Sequence, residues 1–123
     1  MRFAGLFVAA SMIALPAAAQ EADGAALFKQ HCSMCHGDPN VEGSVSRLGP
    51  ELHKLQGRTA GTTEFLRYSP AMRSSGLVWD SATLDTYLVN PRATVRGTTM
   101  AFPGLRDEAA RKLLVEYILG AAE

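Results

Sequence analysis

The sequence predicts an all-α domain with an unusually large share of loop. Apolar residues recur at helical spacing in three separate segments, and no stretch alternates apolar and polar residues as a half-buried strand does. Residues 37–63 are rich in Gly, Ser and Pro and keep no sustained period, so they read as loop. Loops of that length in a small domain need something to wrap.

Each helix has its own local signals. The first is expected over Gly24–Cys35, with Leu27 and Phe28 on one side, and it breaks at Gly37-Asp38-Pro39. A second starts at Asp80 or Ser81, carries Leu84, Tyr87 and Leu88 at i, i+3, i+4, and ends at Pro91. The last is capped by Asp107 and stopped by Gly120. Its expected apolar face is Ala110, Leu113, Leu114, Tyr117 and Ile118.

The chain has 123 residues, enough for one domain. Lys plus Arg and Asp plus Glu are 12 each, a balance that argues against a dedicated nucleic-acid binder. Two cysteines exclude a multi-bridge disulfide scaffold. The N-terminus reads as an export signal: Arg2, an apolar run from Ala4 to Leu15, Pro16, then Ala17-Ala18-Ala19. Cleavage after Ala19 makes residues 1–19 a leader and 20–123 the mature domain, with the periplasm as destination. The apolar run is short for a membrane anchor, since a spanning helix needs ~20 residues. Removal takes away one charge, Arg2. A domain of this size buries only ~60–70% of its unfolded surface, and a large apolar cofactor would help to fill its core.

The chemistry sits in Cys32-Ser33-Met34-Cys35-His36. C-x-x-C-H is the attachment pattern for c-type haem. On a helix, residues i and i+3 share a face, so both thiols would reach neighbouring vinyl groups, and His36 would supply the proximal nitrogen. A thioredoxin-like dithiol would need a βαβ context, and a structural zinc about four ligands; the sequence offers neither. A simple disulfide would leave His36 without a purpose.

The second axial ligand decides between a closed electron-transfer site and an open ligand-binding one. The candidates are Met34, Met72, Met100, His31 and His53. Met34 and His31 lie on the attachment side, and His53 reads as a structural hydrogen-bonding residue. Met100 follows the flexible stretch Arg96-Gly97-Thr98-Thr99. Spacing alone leaves it between an iron ligand and a core-filling methionine.

Gly24-Ala25-Ala26-Leu27-Phe28, Gly49-Pro50-Glu51-Leu52-His53, Gly57-Arg58, Thr83 to Pro91 and Gly97-Thr98-Thr99-Met100-Ala101-Phe102 together resemble the class I cytochromes c. This is the group of mitochondrial cytochrome c and small soluble bacterial carriers. The resemblance covers Gly24 to about Ile118. It implies the class I cytochrome c fold around one haem c, bound through Cys32 and Cys35. It also implies a Gly and Phe of the first helix packed on the last helix through Leu114 and Tyr117. Pro50 would accept the His36 proton, Arg58, Tyr68 and Trp79 would face the propionates, and the Tyr87 hydroxyl would lie near the methionine sulfur. Thr98, Met100 and Phe102 would form the ligand loop, with His36 and Met100 on the iron.

Three departures stand out. Two extra residues lie between His36 and Pro50 relative to the mitochondrial type. Met72 stands where that type has an asparagine. Lysines number only three, Lys29, Lys54 and Lys112, although Arg92 and Arg96 flank the ligand loop. The implied function is one-electron transfer between transient redox partners, by a monomeric non-enzyme that neither inserts into a membrane after cleavage nor binds nucleic acid. The alternatives are a labile-ligand haem protein with peroxidase or small-ligand chemistry, and a cytochrome subunit of a larger dehydrogenase or oxidase.

Overall fold

The computed structural model describes residues 2–13, 23–46 and 48–120. Among them are five helices: α1 (Gly24–His31), α2 (Pro70–Arg73), α3 (Ser81–Val89), α4 (Pro91–Thr94) and α5 (Glu108–Leu119). The β pairing among the described residues is one antiparallel bridge, Thr59 with Val78. The all-α class expected from the sequence therefore holds. Residues 2–13 carry no helix or strand and leave Leu6 and Phe7 exposed. The expected cleavage point after Ala19 lies outside the described residues. Among those described, no helix is long and apolar enough to cross a membrane.

Every helix begins on a side chain that accepts from its first turn. Asp23 accepts from Ala26 N–H at 2.7 Å, Asp80 from Thr83 N–H at 2.7 Å and Asp107 from Ala110 N–H at 2.9 Å. Ser69 and Asn90 cap the two four-residue helices, each followed by proline at the first helical position. Pro91 thus ends α3 and at once starts α4, a helix the sequence reading did not separate. At the other end of α5, Gly120 turns left-handed, and its N–H closes on Tyr117 and Glu116.

Helix α1 is shorter than expected. It ends at His31, because Cys32 leaves the helical region and the next residues close into turns. The two cysteines therefore do not share a helix face. A tight turn brings them together, with Cys35 N–H donating to the Cys32 carbonyl at 3.1 Å and His36 N–H to the same oxygen at 2.9 Å.

Helix α5 packs against both α1 and α3. At Gly24 the two backbones come so close that a Cβ would sit 2.5 Å from the Leu113 carbonyl oxygen and 2.6 Å from Tyr117 Cβ. One helical turn on, the Phe28 ring lies 5.6 Å from the Tyr117 ring. The buried stripe of α5 is Arg111, Leu114, Val115 and Ile118. Leu113, expected on that face, is 40% exposed. The period is right but the face is rotated, since Arg111 hid the true stripe by being charged. Tyr117, expected as plain core, is half-buried, and its hydroxyl donates to the Asp38 carboxylate at 3.1 Å. Nothing local in the sequence marks that tie, because Asp38 lies 79 positions away.

Candidate functional site

A cavity of about 720 Å³ lies between the C-x-x-C-H turn, the 48–61 loop, α3 and the loop after α4. Both cysteines, His36 and Met100 line it. Its wall is mainly apolar, with Leu52, Leu55, Leu84, Leu88 and Ile118 contributing. Among the described residues no Asp or Glu lines it, while Arg58 and Arg67 both do.

Local structure sets the orientation of His36. Its Nδ1–H donates to the Pro50 carbonyl at 2.9 Å. That bond commits Nδ1 as the protonated nitrogen and leaves the Nε2 lone pair available. Burial lowers the imidazole pKa, against a smaller opposing effect of the Pro50 carbonyl, so the neutral ring is favoured. Gly49 makes the approach possible: a Cβ there would lie 2.6 Å from His36 Cε1. Gly49 acquires this role only in the fold; a glycine directly before Pro50 is its one signal in the sequence.

Cys32 is buried and Cys35 exposed. Burial, and to a lesser degree Cys35, pushes the Cys32 thiol up to about 12. Met34 is 85% exposed. The His31 ring packs tilted against Phe102, with centroids 5.8 Å apart, so the end of α1 touches the loop that carries Met100. His53 does not line the cavity; its Nδ1–H donates to the Pro39 carbonyl at 2.9 Å.

Met100 sits in a closed ring of hydrogen bonds. Its N–H donates to Thr98 Oγ1 at 3.3 Å. Thr98 Oγ1 and Tyr87 Oη are 3.0 Å apart, and Tyr87 Oη–H donates to Met100 Sδ at 3.4 Å. Tyr87 has one proton, so donation to sulfur requires Thr98 to supply the proton between the two hydroxyls. Burial raises the Tyr87 phenol pKa, which keeps that proton in place at neutral pH.

Arg58, Tyr68 and Trp79 also line the cavity. The stretch 57–60 pairs with 77–79: Gly57 N–H donates to the Trp79 carbonyl and Trp79 N–H to the Arg58 carbonyl. This pairing brings Arg58 beside Trp79. Arg58 donates to the carbonyls of His53 and Glu51, and Tyr68 shares a hydrogen bond with Thr63. The Trp79 ring meets Tyr87 edge-on at 5.2 Å. Met72, 8% exposed, fills the wall close to Ser69.

This donor set fits a large, flat, carboxylate-bearing macrocycle. Two thiols, the oriented His36 imidazole and the Met100 thioether line a single apolar space, together with arginines and, among the described residues, no acids.

The family model described as Cytochrome c matches residues 21–122. The chain is 42% identical over 115 residues to cytochrome c2 of Blastochloris viridis, covering 93% of this chain and 87% of that protein. It is 44% identical over 101 residues to cytochrome c of Theileria annulata, covering 82% of this chain and 85% of the other. Cytochrome c 2.1 of Caenorhabditis elegans is 40% identical over 95 residues, 77% of this chain and 83% of that one. The relatives thus include bacterial and eukaryotic proteins. The chain carries haem c, bound covalently through Cys32 and Cys35, in an all-α class I fold: it belongs to the cytochrome c family.

Proposed function

We propose that this chain is an exported periplasmic carrier of single electrons, in which His36 and Met100 would hold the haem iron. Bound haem c supplies a reversible Fe(III)/Fe(II) couple. The protein contributes orientation, exclusion of water and a fixed ligand field. The observation that carries the reading is the hydrogen-bond state of two donors lining one cavity: Nδ1 of His36 is committed to Pro50, and Met100 Sδ is held by Tyr87. A thioether so held is a soft, uncharged donor that favours the reduced state.

Arg58, Tyr68 and Trp79 are proposed to face the propionates. The guanidinium is the natural partner of a carboxylate taken out of water. Phe102 and its neighbours form the edge where electrons leave. The leader, residues 1–19, directs export, and the mature domain acts as a monomer. Its redox partners bind transiently over small interfaces, often below ~1,200 Å².

The test is Met100→Ala in the haem-loaded protein. The carrier reading expects loss of the far-red ferric band that reports sulfur ligation, together with a large fall in potential. A spectrum that hardly changes would favour an open or labile sixth position, and with it peroxidase or small-ligand chemistry.

A further inference from the structure

We infer that Arg111 is a positioning residue for Met100: it latches the exit of the ligand loop to α3 and α5 and so sets how readily the methionine gives way. The inference rests on the proposal that Met100 is the sixth ligand. Arg111 is 8% exposed, on the buried face of α5. Its Nε donates to Asp85 Oδ1 on α3 at 2.6 Å, and Nη2 reaches Asp85 Oδ2 at 3.5 Å. Its Nη1 donates to the carbonyls of Leu105 and Arg106 at 3.1 and 3.2 Å. Leu105 in turn donates its N–H to the Leu88 carbonyl of α3 at 2.8 Å. The loop entry is tied to the same helix through Thr98 and Tyr87.

Both ends of the segment from Thr98 to Arg106 are therefore sewn to α3, and the guanidinium is the knot at one end. An exogenous ligand that displaces Met100 must swing this segment. While Arg111 is in place, the motion is confined to the residues between the ties. With the knot cut, the exit can yield as well, and displacement becomes easier. A buried charged pair is poor evidence for stability as such. A role in fixing one loop conformation accounts better for a guanidinium that spends its donors on two consecutive loop carbonyls.

The experiment is imidazole binding to the ferric haem-loaded protein, followed optically, in wild type, Asp85→Asn, Arg111→Lys and Arg111→Met. The Asp85 carboxylate is 41% exposed, so Asp85→Asn gives a variant that still folds should Arg111→Met fail. Gly24→Ala is the control: it destabilises the α1–α5 contact and removes none of the hydrogen bonds of Arg111, Asp85 or the loop. Imidazole affinity is expected to rise about tenfold in Arg111→Met, the size of one lost charge-assisted hydrogen bond. It should rise less in Asp85→Asn and return towards wild type in Arg111→Lys. Affinities in Asp85→Asn and Arg111→Met that stay with the Gly24→Ala control would overturn the latch. A wild-type protein without the far-red ferric band would overturn both the latch and the ligand assignment; with the band present and affinities flat, the latch alone fails.

Discussion

Gly24→Ala tests the packing on which the fold depends. The added Cβ would stand 2.5 Å from the Leu113 carbonyl oxygen and 2.6 Å from Tyr117 Cβ. Ordinary carbon contacts lie at roughly 3.5–4.0 Å, so α1 must draw back from α5 by about 1 Å. Overpacking of this kind costs about 1–3 kcal/mol. Alanine regains only a small part of the about 1 kcal/mol that separates it from glycine in a helix interior, because Gly24 is the first residue of α1. The net loss is about 1–2 kcal/mol. For a domain near 100 residues, each kcal/mol moves Tm by about 4–8 °C, so a fall of roughly 5–15 °C is expected. Thermal unfolding of the ferric haem-loaded protein, read by far-UV circular dichroism and haem absorbance together, measures it. The far-red band at room temperature should survive, because Gly24 does not line the cavity. A variant as stable as wild type would refute the close approach of the two helices.

Two further outcomes follow from named hydrogen bonds. Tyr87→Phe removes the donor to Met100 Sδ and, with Met100 as the proposed iron ligand, leaves the sulfur a better donor to ferric iron. A bond worth about 0.5–1.5 kcal/mol corresponds to a potential lower by about 20–60 mV, at 59 mV per tenfold for one electron. Spectroelectrochemistry of the two proteins reads it, and an unchanged or higher potential would contradict the assignment. The Asp80 carboxyl is held below its usual value, first by the Thr83 N–H it accepts. A depressed folded pKa adds stability that is present above the unfolded value and is lost as pH falls through the folded one. Wild type should therefore be more stable than Asp80→Asn at neutral pH, and the gap should close below the carboxylate range. Denaturant midpoints across that range that stay parallel would speak against the charged cap.

Local signals were legible in the sequence. Asp80, Asp107 and Gly120 mark the ends of α3 and α5 because a cap is made within one turn. The C-x-x-C-H segment could be read because its chemistry is fixed by residue type and spacing. The end of α1 was missed because Cys32 to His36 close into turns that helical periodicity does not describe. Helices α2 and α4 were missed because four residues are too few to show a period, although Ser69-Pro70 and Asn90-Pro91 were their start signals. The rotated face of α5 could not be found locally. Arg111 looks like a surface residue until Asp85, 26 positions away, is beside it. Likewise, Gly49 gains its role only when the ring of His36 lies against it.

Two protein groups, His36 and Met100, are proposed to close the iron site of a carrier. An optical redox titration of the haem-loaded wild-type protein tests this most directly, with the far-red ferric band followed throughout. The band should be present in the oxidised form and be lost in a single reversible one-electron step at high potential. A ferric protein without the band, titrating at low potential and binding added ligands at once, would contradict it.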